Sequence, residues 1–464
     1  MSKTLGVDVA CRAAHQGSLA VDGRLIWTGR RFFTRPADLE RLWADLDLED
    51  PAELTVVVEP TRNAWIVVAA WFRRRGAKVV MVPTTQSADL RAYYSKHAKN
   101  DRLDSALLAR LPLLHPEGLR EFTGDGPADP LRRLTKQRSS IVKRRTAVLQ
   151  RLDALLELLG PAWYEVLGSN YGKAALMLLT RYGDPHALIR LGQARLARFL
   201  ARHSRGWWKD DHATRLIAAA RESLELWGSG GIDFAELAAD IAIEAEQAQM
   251  LTEQIEDLDE RIANLYQDAD PDGFVASAPG VGPVTSAIIA GRIGDPHRFK
   301  SLAAIRAYSG LVPKVSQSGV VETRGGITKA GDPLLREALF AAADAARKTD
   351  PQLAAKYARL MATDRHHESA ICHIATTLLT RIAASWRAGE HYALRNTDGR
   401  IITPEQGRQI VRDNHKVDPK IRDTAAHRRM AQRQKNRTSR EQKKSQSAPA
   451  SRPVPTRIEP ADVA

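Results

Sequence analysis

Asp101 and Asp104 lie three residues apart in the stretch 99–109, whose apolar spacing predicts a helix. On a helix that interval puts both carboxylates on one face and leaves Leu103, Leu107 and Leu108 to a core. Adjacent carboxylates repel. A divalent cation relieves the cost, and oxygen ligands suit Mg2+. Alone, this spacing is commonest on a solvated helix face. Two acids upstream change the reading: Asp8 inside the apolar run 4–10, and Glu59 directly after the β-branched run 54–58. A charge between Val7 and Val9 is costly to bury without purpose.

These acids need elements to carry them. Residues 4–10 read as a strand. The runs 15–20 and 25–33 are joined through Asp22-Gly23, a hairpin signal. Residues 36–45 have helical spacing, 54–58 read as a central strand, 63–75 as a helix and 77–82 as a further strand. The helix of Asp101 and Asp104 follows. This order resembles the ribonuclease H-like fold in its RuvC-like form, an antiparallel meander continuing into helix-covered parallel strands. The resemblance implies that Asp8, Glu59, Asp101 and Asp104 converge at one end of the sheet. There they would hold one or two Mg2+ ions for phosphodiester chemistry.

Charge points the same way. The net charge is +14, and residues 131–151 hold eight Lys/Arg and no acid. Residues 416–444 hold eleven Lys/Arg against three acids, which leaves the rest of the chain near neutral. Two basic patches suit a phosphate backbone. In the first, Arg132, Arg133, Lys136, Lys143, Arg144 and Arg145 share a long helix, expected over 131–159, with a heptad repeat of apolar residues (Leu134, Ile141, Val148, Leu155).

A second long helix begins near Asp233. Its seam, Leu237, Ile241, Glu244, Ala248, Leu251, Ile255, Leu258, Ile262 and Leu265, has coiled-coil spacing with Glu244 as the one polar member. The two helices pack antiparallel, or the second pairs with its copy in another subunit. Residues 160–230 then form a helical cap, with Trp163, Trp207, Trp208 and Trp227 in its core.

Further on, Pro279-Gly280-Val281-Gly282-Pro283 before an apolar helix resembles a helix-hairpin-helix. Gly280 and Gly282 permit a tight turn, and the following helix offers N–H groups to a phosphate. Three blocks then occur in order: 299–313, Lys314-Val315-Ser316-Gln317-Ser318-Gly319, and 325–336. With the acids, they resemble the DEDD-type insertion-sequence transposases of family one-ten, which include the Piv/MooV DNA invertases. The resemblance spans about residues 4–110 and 270–392.

It implies a transposase that cuts and rejoins DNA through a serine–phosphate intermediate, with Mg2+ at the four acids. The nucleophile would be Ser318 of the Ser-Gly pair, with Ser316 two residues earlier as the alternative. Arg324, Lys329 and Arg336 would contact the nucleic-acid backbone. Partners would be the element's DNA ends, target DNA and a noncoding bridge RNA that selects sequence by pairing, around a homodimer or homotetramer. The rivals are a junction-resolving nuclease that uses water and a non-catalytic nucleic-acid-binding descendant.

The expected architecture is α/β plus α. A RuvC-like domain covers 1–115, and a helical, coiled-coil arm with its insertion covers 116–268. A mainly helical transposase domain covers 269–395, and a basic tail expected to be disordered covers 396–464. No apolar run of about twenty residues spans a membrane. The expectation is a cytoplasmic, nucleoid-associated bacterial protein. Cys11 and Cys372 are too few and too far apart for a disulfide framework or a zinc site. His366, His367, Cys372 and His373 fit no usual zinc spacing and are expected to be surface and core residues of a helix over 367–386.

Overall fold

The computed structural model describes residues 2–60, 62–82, 87, 101–116, 119–122, 128–228, 230–318, 321–363, 365–418 and 420–421. The side chains of 101, 315–318 and 321–324 lie outside that description. The chain forms two compact units, 1–126 and 127–464.

The first unit is a mixed sheet with helices. Its elements are β1 (Lys3–Asp8), β2 (His15–Val21), β3 (Arg24–Phe32), α1 (Pro36–Ala44), β4 (Leu54–Val58), α2 (Ala64–Arg74), β5 (Lys78–Met81), α3 (Asp101–Leu114) and β6 (Arg120–Glu121). The strand order is β3-β2-β1-β4-β5-β6, with β1–β4 and β4–β5 parallel and the other pairs antiparallel. The β2–β3 turn has positive φ at both Asp22 (46°) and Gly23 (82°), the geometry Asp-Gly favours. The edge strand β6 was not foreseen, since two residues carry no periodic pattern.

Alternation divides the sheet's two faces. Leu5, Val7, Val56 and Val58 pack with Leu39, Leu42, Val68 and Phe72. Val57 and Val80 pack with Leu108 and Leu111 of α3 on the other face. Gly6 faces α3, and a Cβ there would lie 2.2 Å from the Ala109 nitrogen and 2.3 Å from the Ser105 oxygen. The helix backbone thus rests directly on β1, as an isolated glycine in a strand signals. Ser105 Oγ meets Ser18 Oγ at 2.8 Å in the same buried layer. This contact corrects the expected helix phase. The small residues Ser105 and Ala109 take the sheet side, so Leu103 is 47% exposed while Asp104 is only 8% exposed.

Gly6→Ala is therefore expected to cost about 1–3 kcal/mol of stability by overpacking. Urea or thermal unfolding of the full chain reads it, and an unchanged midpoint would contradict the contact.

The second unit begins with α4 (Ala128–Leu156), followed by α5 (Pro161–Leu167), α6 (Lys173–Tyr182), α7 (Pro185–Leu191), α8 (Gln193–His203), α9 (Asp210–Trp227) and α10 (Phe234–Ala269). α10 runs antiparallel along α4. Arg138 pairs with Asp259, Arg145 Nε donates to Thr252 Oγ1 at 2.7 Å, and Arg151 Nε donates to Glu244 Oε1 at 2.8 Å. Ile141, Val148 and Leu152 share a core with Ile241, Ala245, Ala248 and Leu258. Glu244, the polar member of the seam, is thus met by an arginine.

Helices α5–α9 cap the pair. Trp163 is buried and donates to Ser223 Oγ at 2.9 Å. Trp227 donates to the Leu158 carbonyl at 2.7 Å, and Trp208 stacks on His212. Trp207 departs from the expected core placement, being 84% exposed. Positive φ at Arg205 (54°) and Gly206 (83°) turns the chain sharply after α8, before Trp207.

The distal part comprises α11 (Pro283–Ile293), α12 (Leu302–Ser309), a hairpin of β7 (Pro313–Ser318) and β8 (Val321–Ile327), α13 (Pro333–Ala346), α14 (Pro351–Ala362), α15 (His367–Ala388) and α16 (Pro404–Asn414). Its core joins Ile289, Ile293, Leu339, Leu353, Ile374 and Leu378. The tail expected from residue 396 is corrected over 404–414. There a Thr403/Gln406 capping box starts α16, and Gly407 sits against the Thr349 carbonyl. Residues 422–464, with most of the second basic patch, lie outside the described residues. No helix among the described residues is long and apolar enough to cross a membrane.

Candidate functional site

Asp8 ends β1, and Glu59 directly follows β4. The parallel register pairs Val7 with Val58, so the next residues on the two strands, Asp8 and Glu59, stand side by side at the strands' C-terminal ends. Helix α3 runs counter to β1. Arg102 lies over Gly29, Ser105 and Ala109 over Gly6, and Leu113 over Gly23 at the far hairpin. Its first turn, with Asp101 and Asp104, therefore sits at the end of the sheet where Asp8 and Glu59 are.

Asp8 and Glu59 are half-buried and Asp104 is buried. The Asp101 carboxylate lies outside the described residues. Among the described residues no three His, Cys, Asp or Glu side chains gather into a metal-binding group. The donor chemistry is nonetheless uniform. Carboxylate oxygens, without sulfur or imidazole, suit a hard cation such as Mg2+.

A residue the sequence reading missed holds the loop after Asp8. His15 Nδ1 accepts the Ala10 N–H at 3.1 Å, and its Nε2 meets Thr34 Oγ1 at 2.6 Å. The first bond requires a bare Nδ1, so the proton is on Nε2 and is donated to Thr34. Burial holds the imidazole pKa below its ordinary 6.5. The unfolded chain then binds the proton more readily than the folded one. The stabilisation is complete above about pH 6.5 and is lost as pH falls from there towards the lower folded value. Thermal unfolding from about pH 7 to about pH 5 should show a steeper fall in the wild type than in His15→Gln. Equal slopes would remove His15 from the account.

Of the six basic residues proposed on α4, two are engaged inside the fold. Arg132 Nε and Nη2 donate to the Gly291 and Arg292 carbonyls at 3.1 and 3.0 Å, closing the end of α11. Arg145 is held by Thr252. Arg133, Lys136, Lys143 and Arg144 are exposed and fall on one side of the helix at 100° per residue. None of the four side chains has a hydrogen bond or ion pair among the described residues. They leave a cationic stripe.

In the distal part, Gly280 has φ 75°, and a Cβ there would meet the Ala346 nitrogen at 2.4 Å. Its glycine is required by the approach of α13. Gly282 is exposed and precedes α11 as its N-cap, with Pro283 in the first turn. Arg336 Nη1 donates to the Ser309 carbonyl at 3.1 Å, which makes it an internal tie. Lys329 is exposed with φ 56°. Ser318 is the last residue of β7 and pairs with Val321, while Ser316 pairs with Thr323 and Arg324 with Val315. The side chains of Ser316, Ser318 and Arg324 lie outside the described residues. His366 caps α15, and His367 Nδ1 meets the Tyr357 hydroxyl at 2.9 Å.

Comparison with known proteins follows the same division of the chain. A family model described as a transposase, of the DEDD type of IS110 elements, matches residues 5–161. A second, described as transposase of the IS116/IS110/IS902 family, matches residues 273–358. The insertion element IS110 43.6 kDa protein of Streptomyces coelicolor is 27% identical over 406 residues, covering 85% of this chain and 96% of that protein. The insertion element IS116 44.8 kDa protein of Streptomyces clavuligerus is 28% identical, over 61% of this chain and 73% of its own length. The transposase for insertion sequence element IS1328 of Yersinia enterocolitica is 30% identical over 29% of this chain and 40% of its own.

Proposed function

The chain belongs to the IS110 family of insertion-element transposases, and from that premise we propose that it cuts and rejoins DNA by two transesterifications through a serine–phosphate link at a RuvC-like carboxylate site. The observation that carries the reading is the shared sheet end of Asp8, Glu59 and the first turn of α3. Asp8, Glu59, Asp101 and Asp104 would hold Mg2+. When bound, that ion supplies Lewis acidity at the phosphate and makes a hydroxyl easier to deprotonate.

Ser318 Oγ attacks the scissile phosphorus. The Oγ–P bond forms, the bond from phosphorus to one deoxyribose oxygen breaks, the serine proton passes to solvent and the departing oxygen takes one up. A free hydroxyl of the second DNA then attacks the phosphoserine, restoring a phosphodiester and releasing the serine. The serine comes to the acids from the same copy or from a partner. Two DNAs in one reaction require a dimer or tetramer. Arg133, Lys136, Lys143, Arg144 and Lys329 supply cations to nucleic-acid backbone, and the turn at Gly282 offers helix N–H groups. A bridge RNA would then leave sequence choice to base pairing and backbone recognition to the protein.

The test is covalent trapping. Wild-type protein, Mg2+ and a DNA substrate nicked beside the cleavage point should give an adduct that survives denaturation. Free cut ends without adduct would overturn the serine route in favour of a hydrolysing, junction-resolving nuclease.

A further inference from the structure

Helix α8 and the turn after it form a second basic surface, away from the α4 stripe in sequence. Residues 193–209 hold Arg195, Arg198, Arg202, Arg205 and Lys209 and no acid. Arg195, Arg198 and Arg202 are spaced three and four apart, so they line one exposed face over about 10 Å. Leu196, Ala197 and Leu200 bury the opposite face. Arg195 and Arg198 use only Nε, on carbonyls of their own turn, Leu191 at 2.9 Å and Ala194 at 3.4 Å. None of the five cations has an ion pair among the described residues. Asp210 and Asp211 follow in the first turn of α9, where a helix N-terminus favours acids.

Trp207 stands in this run. An indole 84% in water is unusual, because burying it would gain free energy. The cap's other tryptophans are all engaged, Trp163 with Ser223, Trp208 with His212 and Trp227 with Leu158. An exposed aromatic ring two residues from both Arg205 and Lys209, in a run without acids, calls for a ligand with a flat apolar face and negative charge. Unpaired nucleotides have both.

We propose that the α8 face and Trp207 bind a single-stranded nucleic-acid segment, with Arg195, Arg198 and Arg202 on its phosphates and one unpaired base stacked on Trp207. The inference rests on the reading above only in taking nucleic acid as the polyanion. Its test reads binding, so a failure of strand joining would not bear on it.

Full-length protein is titrated against fluorescein-labelled single-stranded DNA, single-stranded RNA and blunt duplex, each about twenty nucleotides long, over a range of KCl. Trp207→Ala should weaken binding of a single strand about tenfold, with little effect on duplex and no change in salt dependence. Trp207→Phe should restore affinity to within about threefold. Arg198→Ala with Arg202→Ala should lower the slope of log K against log salt by about 1.4 for the same strand. Whichever strand responds, DNA or RNA, identifies the source. Wild-type affinity for every strand in Trp207→Ala would overturn the proposal. So would a shift of Trp207→Ala to a smaller assembly at unchanged affinity, since the patch would then be a protein interface. Trp207 supports none of the core, so the variant should fold, and a matching thermal midpoint checks that it has.

Discussion

Ser318→Ala is expected to abolish the covalent protein–DNA adduct and to lower strand joining by at least about 10⁴-fold, with DNA affinity unchanged. Alanine removes the oxygen that must carry the phosphoryl group. Any residual activity should be slow nicking by water, which leaves free ends. Denaturing gels of end-labelled substrate separate the two outcomes. Ser316→Ala is the control and should keep the adduct. An adduct kept by Ser318→Ala and lost by Ser316→Ala would move the nucleophile two residues upstream along β7.

Asp8→Asn and Asp104→Asn should each lower cleavage by about 10³-fold or more, with DNA binding retained. Asparagine keeps the carboxylate's shape but loses its charge and half of its ligating oxygens. Stability should move the opposite way. Acids gathered at one sheet end repel when no cation lies between them, so neutralising one should hold or raise the thermal midpoint in EDTA. Lost activity joined to retained or raised stability is the signature of a cation site, and a core carboxylate would not give it. Full cleavage by either variant would remove the four-acid account.

Much of the first unit was legible because its signals are local. Asp22-Gly23 marks a hairpin that forms, and the run 54–58 marks a strand buried on both faces. The exposed side of α3 was not legible, because the leucine pattern alone puts Leu103 inward. The glycine at position 6, a hundred residues earlier, decides that phase. It was visible as an interruption of a strand, but its partner was not. The β7–β8 hairpin was missed because Ser316, Gln317 and Ser318 carry no apolar alternation. Nor does residue type separate a cation facing nucleic acid from one closing a helix. Arg132 and Arg133 are neighbours in the chain, yet one ties down the end of α11 and the other is exposed. Trp207 and Trp208 divide in the same way.

The pairing of α4 with α10 joins helices of opposite charge. α4 carries eight Lys/Arg and two acids, while α10 carries ten acids and one arginine. Only a few of these meet across the seam, so the remainder gives the pair an attractive flank and a repellent one. A phosphate chain can run along the first but cannot wrap round to the second. If nucleic acid binds the α4 stripe as proposed above, the helix pair would act as a one-sided rail, open to a phosphate chain along α4 and closed to it along α10.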